Sequence, residues 1–518
     1  MKSLLSENDV YCGSFVLKPE IIISCIAGYF VLLLLIAWIS SRHSNNRSYF
    51  IGNKSSPWIA VAFGLIADSL SGVTFISLPG SVLNDQFSYM QMVIGYLFGY
   101  AFIAEVLLPV YYRMNLTSIY SYLHDRFGHF SQRTGSFYFL VSRTAGAALR
   151  LALTAGIMHF LLFGDQDVDL WVTVAITIGL MLLYTYKGGI KTLVWTDTLQ
   201  SGILLLGVVL SVILIIQKLD LSVAETFEAV SESGYARIFY FDDWKSGSFF
   251  FKQFLSGAFI AIVMTGLDQN MMQKNLSMRT LKEAKKNIYA FSSVLIFVNL
   301  LFVSLGALLY VYASRNGLDL PINLKTGKVV TDEVFPFLAV EHLGMAAAIV
   351  FVLGLTAATF SSADSVLTTL TTSFMIDFMD SEKEGKYSEG RKTRVRHIVH
   401  IVFALILFLV ILLSSHMEKT SIIRSIFTVA SYTYGPLLGL FIFGLFTRLR
   451  VKDRFVPLVC IFPPFLCFLL HKNSEEWLGG YKFGYELLLL NGLFTFVGLL
   501  LITRHNDGQR DTHKGVGG

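Results

Sequence analysis

Thirteen apolar runs, each long enough to cross a bilayer, take up most of this sequence and leave little chain for anything else. They fall at about 21–41, 57–83, 88–112, 134–163, 168–186, 193–217, 248–272, 287–313, 345–378, 397–415, 420–447, 455–471 and 484–503. A helix needs roughly 20 residues to span the hydrocarbon layer. Of the 518 residues 54% are hydrophobic and only 15% charged, and the mean hydropathy is +0.60. That is more apolar material than one soluble core requires, and the pattern predicts an all-α polytopic membrane protein. The formal charge of +5 is too small to argue for a nucleic-acid partner. Cys12, Cys25, Cys460 and Cys467 form no CxxC pair, so neither a structural metal nor a disulfide framework is expected.

The first run follows a polar stretch and has no small-residue cleavage site behind it, which predicts a retained span. An odd number of spans puts the termini on opposite sides. Loops after the odd-numbered runs hold 26 Lys and Arg, against 11 in the N-terminal segment and the other loops. Cytoplasmic loops carry the basic excess, so the N-terminus is expected outside and the C-terminus inside. Two long outer connections, 218–247 and 314–344, suit a lid or surface hairpin. The glycine-rich polar tail at 504–518 is expected to be disordered. Runs 2–6 and 7–11 read as two five-span units of opposite orientation, as inverted-repeat transporters require. The boundaries follow: 1–56 with the first span, a first repeat at 57–217, an outer loop at 218–247, a second repeat at 248–447 and two last spans at 448–503.

Run 2 is apolar at both ends but holds Ala67-Asp68-Ser69-Leu70-Ser71-Gly72 in its middle. Ser and Asp compete for backbone hydrogen bonds and Gly is permissive, so the helix is expected to unwind there. Hydrocarbon tolerates freed carbonyls only where they meet protein, water or an ion. In run 9, positions 358, 361, 362 and 365 share one helical face. Carbonyls of Ala67, Leu70 and Ala358 with hydroxyls of Ser361 and Ser362 then make a neutral five-oxygen shell suited to Na+. Close helix packing by the small residues is the competing explanation.

Other polar groups sit at depth. If runs 6 and 9 are neighbours, Asp197 and Asp364 form a second candidate cation site with Ser361 or Ser365, or hold a proton, or simply bond to nearby side chains. Arg143 and Arg150 in run 4 project from nearly one helical face, and either suits an anionic solute. Pairing with Asp68, Glu105 or Asp364 is the alternative for each. Run 7 ends in GLDQNMMQKNLSMRTLKEAKK, residues 266–286, which reads as a basic cap leaving the membrane at the inner face. No convincing GxSxG, HExxH or Walker motif is present, and no enzymatic activity is expected.

Gly188-Gly189-Ile190-x-x-x-Val194-Trp195-Thr196-Asp197-x-x-Gln200, Asp268-Gln269-x-x-x-Gln273-Lys274 and the Ser361-Ser362 cluster resemble, in order and spacing, motifs of the sodium:solute symporter family. The resemblance covers about residues 20–505. It implies a leucine-transporter-type fold, with one span before and two after a core of two inverted five-span repeats. It also implies a principal sodium site on Ala67, Leu70, Ala358, Ser361 and Ser362, and in some members a second on Asp197, Ser361, Asp364 and Ser365. Asp364 stands where a neutral Ser is expected, so one or two coupling Na+ ions remain open.

Leu70-Ser71-x-x-Thr74-Phe75-x-Ser77-x-Pro79 and Leu116-Thr117-Ser118-x-Tyr120-x-Tyr122-Leu123 are similar to the branch that includes sialic-acid symporters. That likeness implies solute contacts from Ser69, Ser71 and Thr74 and an arginine of run 4; Asp68 completes the candidate solute set. Val93 stands where sugar and sialic-acid transporters have a polar Gln or Glu, and Met264 and Thr265 stand in place of the aromatic gate of the sodium:galactose members. The expected activity is Na+-coupled import, by alternating access, of a small carboxylate such as a sialic acid or monocarboxylate. A sugar or polyol solute is the rival, and a channel or transporter-like sensor the rival of another class. The expected partners are the solute, Na+ and the lipid bilayer of the plasma membrane, with the chain working as a monomer.

Overall fold

The computed structural model describes residues 19–42, 44–164, 167–323, 326–383, 385–415 and 422–503. Cys12 and the tail at 504–518 lie outside these residues. Every apolar run coincides with a helix. After α1 (Pro19–Ser41) the second run is split into α2 (Trp58–Ser69) and α3 (Gly72–Asp85), set at 57° to one another. Next come α4 (Tyr89–Phe102), which continues through a π turn to Arg113, then α5 (His129–Phe163), α6 (Leu170–Gly188) and α7 (Ile190–Leu219). Gly189, at φ +53°, makes the sharp turn between the last two.

The second half repeats the break. α8 (Phe250–Ala261) continues as a π turn to Gly266 and meets α9 (Gln269–Leu276) at 62°. α10 (Leu281–Arg315), α11 (Met345–Ser373) and α12 (Glu389–Ser415) are unbroken. α13 (Ile422–Thr433) and α14 (Gly435–Phe446) form a third bent pair, followed by α15 (Val456–Lys472) and α16 (Leu487–Leu501). Among the described residues eight helices are long and apolar enough to cross a membrane, or eleven with each bent pair as one span. Shorter apolar helices, Leu170–Tyr186 and Leu487–Leu501, lie on the two remaining runs.

Large apolar side chains point outward along these helices, among them Trp38, Leu183, Phe297, Leu405 and Leu413. That surface suits lipid tails, so exclusion of water does not hold the helices together and close packing must. The tightest seam joins α4 to α8. A Cβ on Gly95 would run into the Phe254 carbonyl, and one on Gly257 into the Met92 carbonyl. Backbone cannot step aside as a side chain can. Gly95→Val is therefore expected to cost more than the about 1–3 kcal/mol of ordinary overpacking. The check is size-exclusion chromatography in detergent, where the variant should lose its monodisperse peak.

Neither of the long connections, 218–247 and 314–344, hangs free. In the first, Gln91 of α4 accepts from the Tyr240 N–H (3.1 Å) and donates to the Ser248 carbonyl (3.0 Å). In the second, an antiparallel bridge between Ile322 and Val329 leads into a short helix, Thr331–Phe337, and Gly80 of α3 packs directly on the Thr331 carbonyl. The first part of the segment read as a basic cap after run 7 is α9, all eight of whose residues are buried within the protein, while Arg279 and Lys282 beyond it are exposed. Asp268 caps α9 by accepting from the Met271 N–H and also joins a buried ion pair.

Candidate functional site

The centre of the molecule is polar, and the break between α2 and α3 organises it. Leu70 N–H closes the last bond of α2 on the Ile66 carbonyl (2.8 Å), and the ladder resumes only where Phe75 N–H meets the Ser71 carbonyl (3.0 Å). The carbonyls from Ala67 to Leu70 are thereby left out of the helical ladder. The break is wedged between α5 and α11: a Cβ on Gly72 would run into Thr154 Cγ2 and come within 3.3 Å of Thr359 Oγ1. Ser361 and Ser362 follow within one turn, both buried. Ser362 Oγ donates to the Thr359 carbonyl (3.1 Å), whereas Ser361 Oγ has no partner. Freed carbonyls and an orphaned hydroxyl are the donor chemistry that Na+ uses, so these residues fit the ion.

Beside the break lies a cluster of buried charges. The Lys274 ammonium, carried in by α9 and wholly buried, donates to Asp68 Oδ2, to Asp197 Oδ2 and to Ser365 Oγ (2.9 Å). Ser365 Oγ in turn donates to Asp197 Oδ2 (3.4 Å). Asp364 is next in line but faces another way, accepting from the Tyr184 hydroxyl (2.9 Å) and the Ser365 N–H. The second oxygens of Asp68 and Asp197 have no hydrogen-bond partner. Lys274 was not among the candidate residues, although a signal existed: three acids within spans require a basic partner.

The two arginines of α5 separate in role. Arg143 is bound in a fork to Asp268, Nε to Oδ2 at 2.6 Å and Nη2 to Oδ1 at 2.8 Å, and the Tyr434 hydroxyl donates to the same carboxylate. Its acid is thus Asp268, not Asp68, Glu105 or Asp364. Arg150 is also buried, yet its Nε has no partner and no carboxylate pairs with it among the described residues. Both line a cavity of about 90 Å³ together with Asp68, Ser69, Ser71 and Thr74. Tyr89, Tyr96 and Tyr100 stand on another wall, and Ile260, Met264 and Phe427 supply apolar surface. The tyrosines carried no sequence signal, because aromatic residues on a span are ordinarily core or lipid-facing.

Comparison with known proteins agrees with this architecture. The description of the sodium:solute symporter family matches residues 49–453. The sodium/sialic acid symporter SiaT of Proteus mirabilis is 25% identical over 431 residues, covering 81% of this chain and 84% of the relative. The mouse sodium-coupled monocarboxylate transporter 1 is 24% identical over 440 residues, covering 84% of this chain and 70% of the relative. Among solved structures, a substrate-bound, outward-open Na+-coupled sialic acid symporter superposes with a TM-score of 0.77 at 22% identity, covering 93% of this chain and 97% of the other. A helix broken over freed carbonyls, spans that repeat such a break, and a match through most of the chain converge on one assignment: this multi-pass membrane protein belongs to the sodium:solute symporter family.

Proposed function

We propose that the protein imports a small organic carboxylate together with Na+, with Arg150 as the group that holds the solute. The observation that carries this reading is the contrast within α5. Arg143 is consumed by Asp268, while Arg150 reaches the same cavity with an unshared donor. A buried guanidinium without a carboxylate is costly, and an anionic solute removes that cost. The hydroxyls of Ser69, Ser71 and Thr74 stand on the cavity wall to accept or donate to the rest of the solute, and Asp68, tied to Lys274, positions the break beside it. At about 90 Å³ the cavity is well below the roughly 300–1,000 Å³ of common ligand sites. A short-chain monocarboxylate suits this state, and a sialic acid requires the surrounding helices to part.

Na+ binds in this reading between the carbonyls of Ala67, Leu70 and Ala358 and the hydroxyls of Ser361 and Ser362. It ties the break to α11 and so favours the form that accepts solute. Each charge moving inward along the field contributes about 2.3 kcal/mol per 100 mV. The thirteen-span arrangement in two repeats is supported by the placement of the bends, and an N-terminus outside by the basic excess in the loops after the odd-numbered runs. One bent pair opens the proposed first repeat at 57–217 and another opens the second at 248–447. The chain is taken to work as a monomer.

In proteoliposomes, uptake of a labelled monocarboxylate is expected to collapse when external Na+ is replaced by K+ or choline. Equal uptake in choline would refute Na+ coupling, and uptake of hexoses in place of carboxylates would shift the assignment to the neutral-solute rival.

A further inference from the structure

We infer that Asn299 selects the solute by its uncharged end: its side-chain oxygen accepts a hydrogen bond there, so the preferred carboxylate carries a hydroxyl or an amide N–H away from its charge. This rests on the carboxylate reading above and narrows its substrate class. Asn299 lies midway along α10 and lines the same cavity as Arg150. It is 1% exposed. Its Nδ2 donates to the Leu295 carbonyl one turn earlier (2.7 Å). That bond fixes which way the carboxamide faces, because turning it over would set two carbonyl-type oxygens against each other. Oδ1 is thereby left as an acceptor, and it has no partner. An asparagine kept in a span for packing alone satisfies itself or a neighbouring helix, whereas an unmet acceptor at this depth carries a cost that an occupant removes.

The other polar groups of the cavity set the chemistry. Tyr89 and Tyr96 spend their hydroxyls on one another (3.1 Å), and Arg143 is spent on Asp268. Among the described residues lining the cavity, the buried polar atoms left without a partner are Arg150 Nε, Asp68 Oδ1 and Asn299 Oδ1. The first donates and carries positive charge; the other two only accept. A solute that meets both kinds needs a carboxylate at one end and a donor at another. Asp68 is already paired with Lys274 and, as an anion, disfavours a carboxylate beside it, whereas Asn299 is neutral. The donor therefore goes to Asn299. A plain alkyl acid puts methylene groups against Oδ1 and leaves it unmet, which is the arrangement a buried polar group discriminates against most strongly.

Uptake by proteoliposomes in Na+ tests this with labelled butyrate and the same acid hydroxylated at its second, third or fourth carbon, each at low concentration. In the wild type one of the hydroxy acids should enter at least about fivefold faster than butyrate. Asn299→Leu, similar in size but without the acceptor, should bring the rates together while butyrate uptake continues. A merely structural role would lower every rate alike and leave their ratio standing. Should Asn299→Leu not fold, the wild-type ratios still decide. A smaller wild-type preference, or one that survives in Asn299→Leu, overturns the inference and leaves carboxylate transport intact. No Na+-driven uptake of any of these acids removes both.

Discussion

Arg150→Ala is expected to stop carboxylate uptake while the protein remains folded and still binds Na+. The guanidinium makes no ion pair among the described residues, so its removal strands no internal partner. What is lost is the charge that meets the solute. Removing one member of a buried, hydrogen-bonded charge pair costs about 2–5 kcal/mol of binding, which corresponds to a factor of roughly 30 to several thousand in apparent affinity. Arg150→Lys keeps the charge but not the planar fork, and should recover only part of it. The measurement is concentration-dependent uptake by proteoliposomes, with thermal stability and Na+ binding followed on the same preparations. Wild-type uptake by Arg150→Ala would transfer the solute contact elsewhere and end the proposal made for this residue.

Arg143→Ala, one helical face and seven residues away, should behave in the opposite manner: the protein is lost before transport can be assayed. Deleting this side chain abandons Asp268 in an apolar interior, and breaking a buried pair from one side costs about 3–5 kcal/mol. Typical stabilities are about 5–15 kcal/mol, so that is a large share. The damage also spreads, since Asp268 caps α9 and α9 delivers Lys274 to the acids beside the break. Pairing Arg143→Met with Asp268→Asn removes both charges and keeps a capping oxygen, and should restore much of the folded yield. Detergent-solubilised yield and thermal denaturation check this, and wild-type stability for Arg143→Ala would show the pair to be dispensable.

The contrast between these arginines marks how far the sequence could be read. Their helix, their depth and their shared face follow from hydropathy and the 3.6-residue period alone. So does the interruption of run 2: Ser, Asp and Gly inside an apolar segment forced the break that lies at Leu70 and Ser71. The serine face of run 9 was equally legible, since its spacing depends on nothing outside the helix. The burial of the segment after run 7 was not legible in that way: Asp268, Gln273 and Lys274 look bound for water unless something inside the fold is known to want those groups.

The sequence by itself determined which stretches form long apolar helices and where one of them must open. Those are properties of one segment in hydrocarbon, where each backbone and side-chain group has to be satisfied or hidden. Only the tertiary structure decided which arginine is spent on the fold and which faces the cavity, and that a lysine stands among the acids. Arg143 finds its acid 125 residues away, and Lys274 reaches Asp68 across 206. Such pairings are fixed by how broken helices turn and pack, because a buried charge takes whichever partner the assembled helices bring within reach.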